Sequence, residues 1–184
     1  MKLAGTALER VAIALASLAL SVGLIALLSG FFAGRDQAGV SAGAAVIGRA
    51  VPDLGHAHLR PGELRPVYNS EPPTSGAHIP EPVVHDGAML GDDQLLQALE
   101  VGDVVIAYGT PQPPPGLARL ARQLSDSFTP QLAAAGQAVL TMRRPRTGGL
   151  IGLAWGRMVR VSSPSDPQLS KFAEQWLGHG APGR

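Results

Sequence analysis

Cysteine is absent from the 184 residues. Its absence excludes disulfide staples, Cys-ligated zinc, thiol catalysis and a lipoprotein anchor at cysteine. A charge imbalance is missing too: 15 Lys+Arg against 14 Asp+Glu leave a formal net charge of +1. Nucleic-acid binders normally carry a clear basic excess, so nucleic acid is not an expected partner. Lysine is nearly absent, with Lys2 and Lys171 alone, so arginine carries the positive charge. Without thiols, the five histidines are the main soft donors for chemistry. The length leaves room for one globular domain and an accessory segment.

Residues 11–33 contain no charged side chain. As a helix this run spans roughly 34 Å, against about 30 Å of bilayer hydrocarbon. Signal-peptide cores are usually about 7–15 residues long, so the run is long for one. Phe31 and Phe32 spoil a small-residue cleavage pattern at its end, and Val40-Ser41-Ala42 lies far beyond it. The expectation is an uncleaved signal anchor and a single-pass protein of the cell membrane. Lys2 and Arg10 precede the run, offset by Glu9, while Arg35 follows beside Asp36. That small bias places residues 1–10 in the cytoplasm and the C-terminal part outside.

Residues 34–48 are small and Gly/Ala-rich and read as a flexible tether. The outer domain is then 49–184. Its first part, 49–90, holds seven prolines and four of the five histidines, with no sustained period. It reads as an extended, loop-rich segment that must pack on the rest. Asp92 or Asp93 caps a helix to about Glu100, with Leu95, Leu96 and Leu99 on one face. Val104–Tyr108 reads as a buried strand. Gly116–Phe128 has helical apolar spacing, and Ala138–Met142 reads as a second strand, parallel to the first. Leu150–Trp155 and Met158–Val161 flank Gly156-Arg157, which suits a type II′ hairpin. Asp166-Pro167 starts a helix whose stripe is Leu169, Phe172, Ala173, Trp176 and Leu177. The predicted fold class is α/β, or α+β, with helices on a sheet of three to five strands.

Tyr68–His78 reads YNSEPPTSGAH, and LEVGDVVIAY, AWGR and GAPG follow in order. From about Gly55 to Pro182 the chain resembles the domain of unknown function 3105 family, bacterial proteins with an N-terminal membrane helix and an outward domain. The resemblance implies fold and location and no established activity. It also implies a histidine before the tyrosine, a histidine ending the PPTSG motif, and a helical H-x-L-E-H-G. His58 (or His56) and His78 match the first two. Gln97 and Val101 stand where the third expects histidines, around Glu100 and Gly102.

The first chemical candidate is His56, His58, His78 and His85. His-x-His puts two rings on one side of an extended strand, where one metal can take both. Imidazole suits copper(II), zinc or nickel; the cofactor is left open, with copper or zinc the ions that this candidate would hold. Met89 offers a thioether for copper, and Asp86 or Glu100 an oxygen. Exposed histidines scattered over a loop are the bland alternative. The second candidate is Thr74, Ser75 and His78, two hydroxyls beside an imidazole. The chain has no G-x-S-x-G elbow, and a rigid turn, with Tyr68 before it, explains the motif better. The third is Arg143, Arg144 and Arg146, which fit anionic headgroups or envelope polymers, or a solvated turn. Trp155 reads as a core anchor on which Arg157 can stack. Glu100 is a lone helix-end carboxylate whose default explanation is solvation or a local hydrogen bond, and His179 reads as exposed.

The sequence thus favours a membrane-anchored extracytoplasmic binding or interaction module without catalysis, its envelope protein or polymer partner unspecified. A histidine-based copper or zinc domain is the alternative, and a hydrolase using Ser75 or His78 ranks last. Protease added to intact cells is expected to digest the C-terminal domain. Full protection there, with digestion after lysis, would reverse the orientation.

Overall fold

The computed structural model describes residues 45–184. The apolar run 11–33 lies outside the described residues, as does most of the expected tether. Among the described residues no helix is long and apolar enough to cross a membrane. The strands are β1 (Arg49–Ala50), β2 (Val104–Tyr108), β3 (Val139–Arg143), β4 (Leu150–Ala154) and β5 (Arg157–Val161). The helices are α1 (Asp92–Val101), α2 (Leu117–Leu124), α3 (Pro130–Ala134) and α4 (Pro167–Trp176). They form an α/β fold on one five-stranded mixed sheet of order β1-β5-β4-β2-β3. β2 and β3 are parallel, as the strand–helix–strand order predicts, and the other pairings are antiparallel.

Side chains alternate across a strand, and here both faces are covered. Val105 and Ala107 of β2 share one apolar cluster with Leu95, Leu96 and Leu99 of α1. Val104, Ile106 and Tyr108 share the other with Leu117 and Ala121 of α2 and Leu169 and Phe172 of α4. That is why VVIAY is apolar at every position. Each fully buried Leu or Phe contributes about 1.5–3 kcal/mol relative to exposure.

Three local expectations need correction. α1 is capped by Gly91, not by Asp92 or Asp93; the Gln94 side chain reaches back to accept from the Gly91 N–H at 3.2 Å. The helix expected over 116–128 ends at Leu124: Ser125 takes an extended backbone (φ −140°, ψ 169°), and its hydroxyl accepts from the Val139 N–H at 3.0 Å. Thr129 then caps α3 by accepting from the Leu132 N–H, with Pro130 in its first turn. The break lets Phe128 pack on the α1 cluster, whereas α2 lies on the other. In the hairpin, Ala154 pairs with Arg157, so the loop is Trp155-Gly156. Gly156, at φ +63°, is its second residue, which is not the type II′ arrangement.

The 49–90 segment has little regular structure, as expected, yet it is firmly fastened. Val51 N–H donates to Gly156 O, and Gly156 N–H donates to Thr74 O, both at 2.9 Å. At the end of the expected tether, Ile47 is already docked on α4. Its N–H donates to Gln175 Oε1 at 2.8 Å, and its carbonyl accepts from Trp176 Nε1 at 2.9 Å.

Asp103 joins α1 to β2 and is 1% exposed. Burial pushes its carboxyl up to about 8, against the opposing effect of the Ala138 N–H that donates to Oδ1 at 2.8 Å. A folded-state pKa above the unfolded value of about 3.9 gives stability that is full at low pH. That stability falls as pH rises from about 4 through about 8. Asp103→Asn keeps the acceptor and removes the titration. It is expected to match the wild type near pH 4 and exceed it by a few kcal/mol near pH 8. Urea midpoints at the two pH values check this; equal midpoint shifts at both would refute it.

Candidate metal centre

Two stretches of the 49–90 segment run side by side. Leu59 N–H donates to His78 O at 2.8 Å, and His78 N–H donates to Ala57 O at 3.1 Å, making a parallel bridge between His58 and His78. Gly76 N–H donates to Gly55 O at 2.8 Å. The His-x-His stretch is thereby laid along the PPTSGAH turn. Gly76 sits at φ +127°, and an added Cβ would meet the Tyr68 ring at 3.0 Å, so glycine is required there on both grounds. Tyr68 donates from its hydroxyl to Ala77 O at 3.0 Å. Burial, then the Asp93 and Asp92 carboxylates, hold its phenol above the ordinary value.

α1 receives this double strand through two carboxylates seven residues apart, hence on one helical face. At its start Asp93 accepts from the Ile79 N–H at 3.0 Å, fixing the backbone beside His78. Asp93 is also ion-paired with Arg65, whose Nε lies 3.2 Å from both oxygens. The Arg65 guanidinium holds the Asp93 carboxyl below the usual range, burial opposing it. The stability from this pair is present above the ordinary carboxylate pKa and is lost as pH falls through the lowered value. In the last turn of α1, Glu100 is 3% exposed.

Of the default explanations, solvation does not apply to Glu100, and the partners of its carboxylate are distant in sequence rather than local. Its Oε2 lies 2.9 Å from His58 Nε2 and 3.1 Å from His78 Nε2, and Oε1 lies 3.7 Å from His56 Nδ1. The C-terminal tail backs it. Ala181 N–H donates to Glu100 O at 3.0 Å, and Gly178 N–H donates to Gly102 O at 2.9 Å. Gly180 passes so close that a Cβ would stand 2.1 Å from Glu100 O.

His78 is fully buried, and its Nδ1 lies 3.0 Å from Gly76 O. A carbonyl only accepts, so Nδ1 carries the hydrogen there and Nε2 is the ring nitrogen that faces the cluster. That Nε2 is buried and makes no hydrogen bond; the nearby Glu100 oxygen is not aligned for one. A locked ring of this kind is the usual support of a metal-ligating histidine. One ligand atom each from His58, His78 and Glu100 lie within 4.8 Å of one another. Zinc bonds of about 2.0 Å in a tetrahedron separate ligands by about 3.3 Å. The two His–Glu separations reach that with shifts of a few tenths of an ångström. Two imidazoles and a carboxylate also leave a fourth position open. His58 and His56 are partly exposed at the mouth, and Trp155 stands 6.3 Å from His56 and 6.5 Å from His78, ring to ring.

The structure brings His56, His58 and His78 to Glu100. His85 stays outside: it is exposed, beside Asp86, which accepts from the Thr141 N–H and hydroxyl of β3 at 2.6 and 3.0 Å. Met89 is exposed and contacts Arg143. Ser75 is buried, with its hydroxyl accepting from the Leu54 N–H at 3.0 Å and donating to Pro52 O at 3.4 Å. It bonds neither ring nitrogen of His78, so the motif works as a turn. Trp155 donates to Asp53 Oδ2 at 3.2 Å from the hairpin loop. Arg157 stacks on Trp176 at 4.8 Å rather than on Trp155, because β5 turns it toward α4. His179 is exposed against the edge of Trp176. Gln97 and Val101 line a cavity of about 290 Å³ whose lining includes none of the cluster. Sequence reasoning missed Asp93 and Arg65, although the seven-residue spacing of Asp93 and Glu100 was there to find.

The family model described as protein of unknown function (DUF3105) matches residues 63–183. The chain belongs to the DUF3105 family. The matched span takes in His78 and Glu100, while His56 and His58 precede it. Comparison with curated proteins and with solved structures finds no match to this DUF3105 chain.

Gly180→Ala is expected to destabilise the fold by about 1–3 kcal/mol, because the clash is with backbone. A urea midpoint unchanged from the wild type would show that the tail is not fixed against Glu100.

Proposed function

We propose that this DUF3105 protein is a membrane-anchored, outward-facing domain that binds one divalent transition-metal ion, copper(II) or zinc, through His58, His78 and Glu100. The observation that carries the metal reading is the buried, unpartnered Nε2 of His78, locked in orientation by Gly76 O and aimed at a buried carboxylate. A cation at that point satisfies both groups at once. His56, at 3.7 Å from the other Glu100 oxygen, is the nearest further nitrogen. The open side at His58 suits an exchangeable ion better than a closed structural one. The anchor reading is supported by the uncharged run 11–33 and the charges around it. No catalytic step is assigned: the Ser75 hydroxyl is committed to Leu54 and Pro52.

The full chain in detergent, stripped and then titrated with zinc or copper(II), is expected to take up one ion per chain. His78→Ala and Glu100→Gln should each weaken binding tenfold or more. His85→Ala should leave it unchanged. Metal at 100 times Kd should stabilise the wild type by about 2.7 kcal/mol and the two cluster variants far less. Substoichiometric uptake that neither cluster substitution alters would sink the reading and leave a buried His–Glu contact of purely structural role.

A further inference from the structure

A second cluster lies apart from the histidines, in the loop between β3 and β4. Arg143 at the end of β3, Arg144 and Arg146 of that loop, and Arg160 of β5 line one cavity of about 550 Å³. Leu90 and Ile151 give it buried apolar lining, and Glu71 is the one carboxylate residue among those that form it. Four guanidinium groups around one hollow are out of proportion in a chain whose formal charge is +1.

The cluster is only partly neutralised from within. Arg144 is held in place: Nε and Nη2 donate to Glu71 Oε1 at 2.9 and 2.6 Å, and Nη1 donates to Asp92 Oδ1 at 2.8 Å. Arg160 donates to the Glu71 carbonyl at 3.0 Å, and Arg143 to the Thr110 carbonyl at 3.3 Å. Among the described residues, no carboxylate lies within ion-pair distance of Arg143, Arg146 or Arg160. Arg146 also sits at φ +70°, where glycine or asparagine is favoured, in the turn closed by Thr147 N–H donating to Arg144 O. A position whose backbone favours glycine carries a guanidinium instead, at the rim of a cavity already basic.

We infer that this cavity is a binding site for a phosphate group. Guanidinium presents paired donors that match phosphate oxygens bidentately. Three uncompensated guanidinium groups around one hollow call for an anion whose oxygens do not lie in one plane. Tetrahedral phosphate, free or as a diester, meets that, where a planar carboxylate does not. Arg144, fixed by two carboxylates, is the scaffold, and Arg143, Arg146 and Arg160 are the groups that close on the anion. The site takes either free inorganic phosphate or the phosphate of an anionic lipid headgroup. It stands independently of the metal reading, since the two share no residue.

The full chain is placed in phosphatidylcholine nanodiscs and titrated with inorganic phosphate, chloride at equal ionic strength serving as control. The readouts are calorimetry and the arginine Nε–H resonances. Saturable binding of one phosphate is expected, weakened at least fivefold by Arg146→Ala and by Arg160→Ala. Arg119→Ala, on α2, should leave it unchanged, and circular dichroism should show all three variants folded. A second set of nanodiscs contains phosphatidylglycerol. If that lipid lowers the apparent phosphate affinity of the wild type but not of Arg146→Ala, the headgroup is the source. If it does not compete, the ligand is free phosphate. A response equal to that of chloride, or one that survives both substitutions, would overturn the inference.

Discussion

Glu100 is 3% exposed in the last turn of α1, and a carboxylate buried there costs several kcal/mol unless it is closely compensated. Much of the surrounding architecture follows from that constraint. The 49–90 segment, which has almost no regular structure to hold it, is laid so that His56, His58 and His78 face the two carboxylate oxygens. The C-terminal tail closes from behind, with Ala181 donating to the Glu100 carbonyl and Gly180 leaving no room for a side chain. Glu100 thus joins three pieces of chain that are distant in sequence: at the end of α1, its carboxylate meets the loop and its backbone carbonyl meets the tail.

The compensation is incomplete, and that gives the site its chemistry. His58 approaches Glu100 in hydrogen-bonding geometry, but His78 does not, and its Nε2 is left buried beside an acceptor. Buried polar groups are nearly always partnered, and an exception calls for an explanation. Here the ring cannot turn away to find a partner, because Gly76 O holds Nδ1 and the parallel bridge fixes the backbone on either side. Asp93 performs the matching task at the other end of α1. It carries no ligand role, and it sets where Ile79, and so His78, must lie.

Much of the framework is legible in the amino-acid sequence. The all-apolar Val104–Tyr108, the Asp166-Pro167 start and the parallel pairing of β2 with β3 follow from local propensity and periodicity. Where the fold departs from expectation, the causes are local. Ser125 and Thr129-Pro130 are helix-end and helix-start signals inside what otherwise reads as one amphipathic run. Trp155 enters the hairpin loop, which shifts the turn by one residue.

For the site, the sequence by itself determined the supply of donors. Zero cysteine left histidine and carboxylate, and His-x-His, PPTSGAH and His85 put four imidazoles within thirty residues. It did not determine which of them share a space. His85 and His78 are seven residues apart, yet one is exposed beside β3 and the other fully buried against α1. His58 and Glu100 are forty-two residues apart and touch. The difference is physical: local sequence sets φ/ψ preferences and hydrophobic period, which act over a few residues. The meeting of a loop with a helix end is decided by which backbone hydrogen bonds and buried charges can be satisfied together, and that is a property of the whole packed domain.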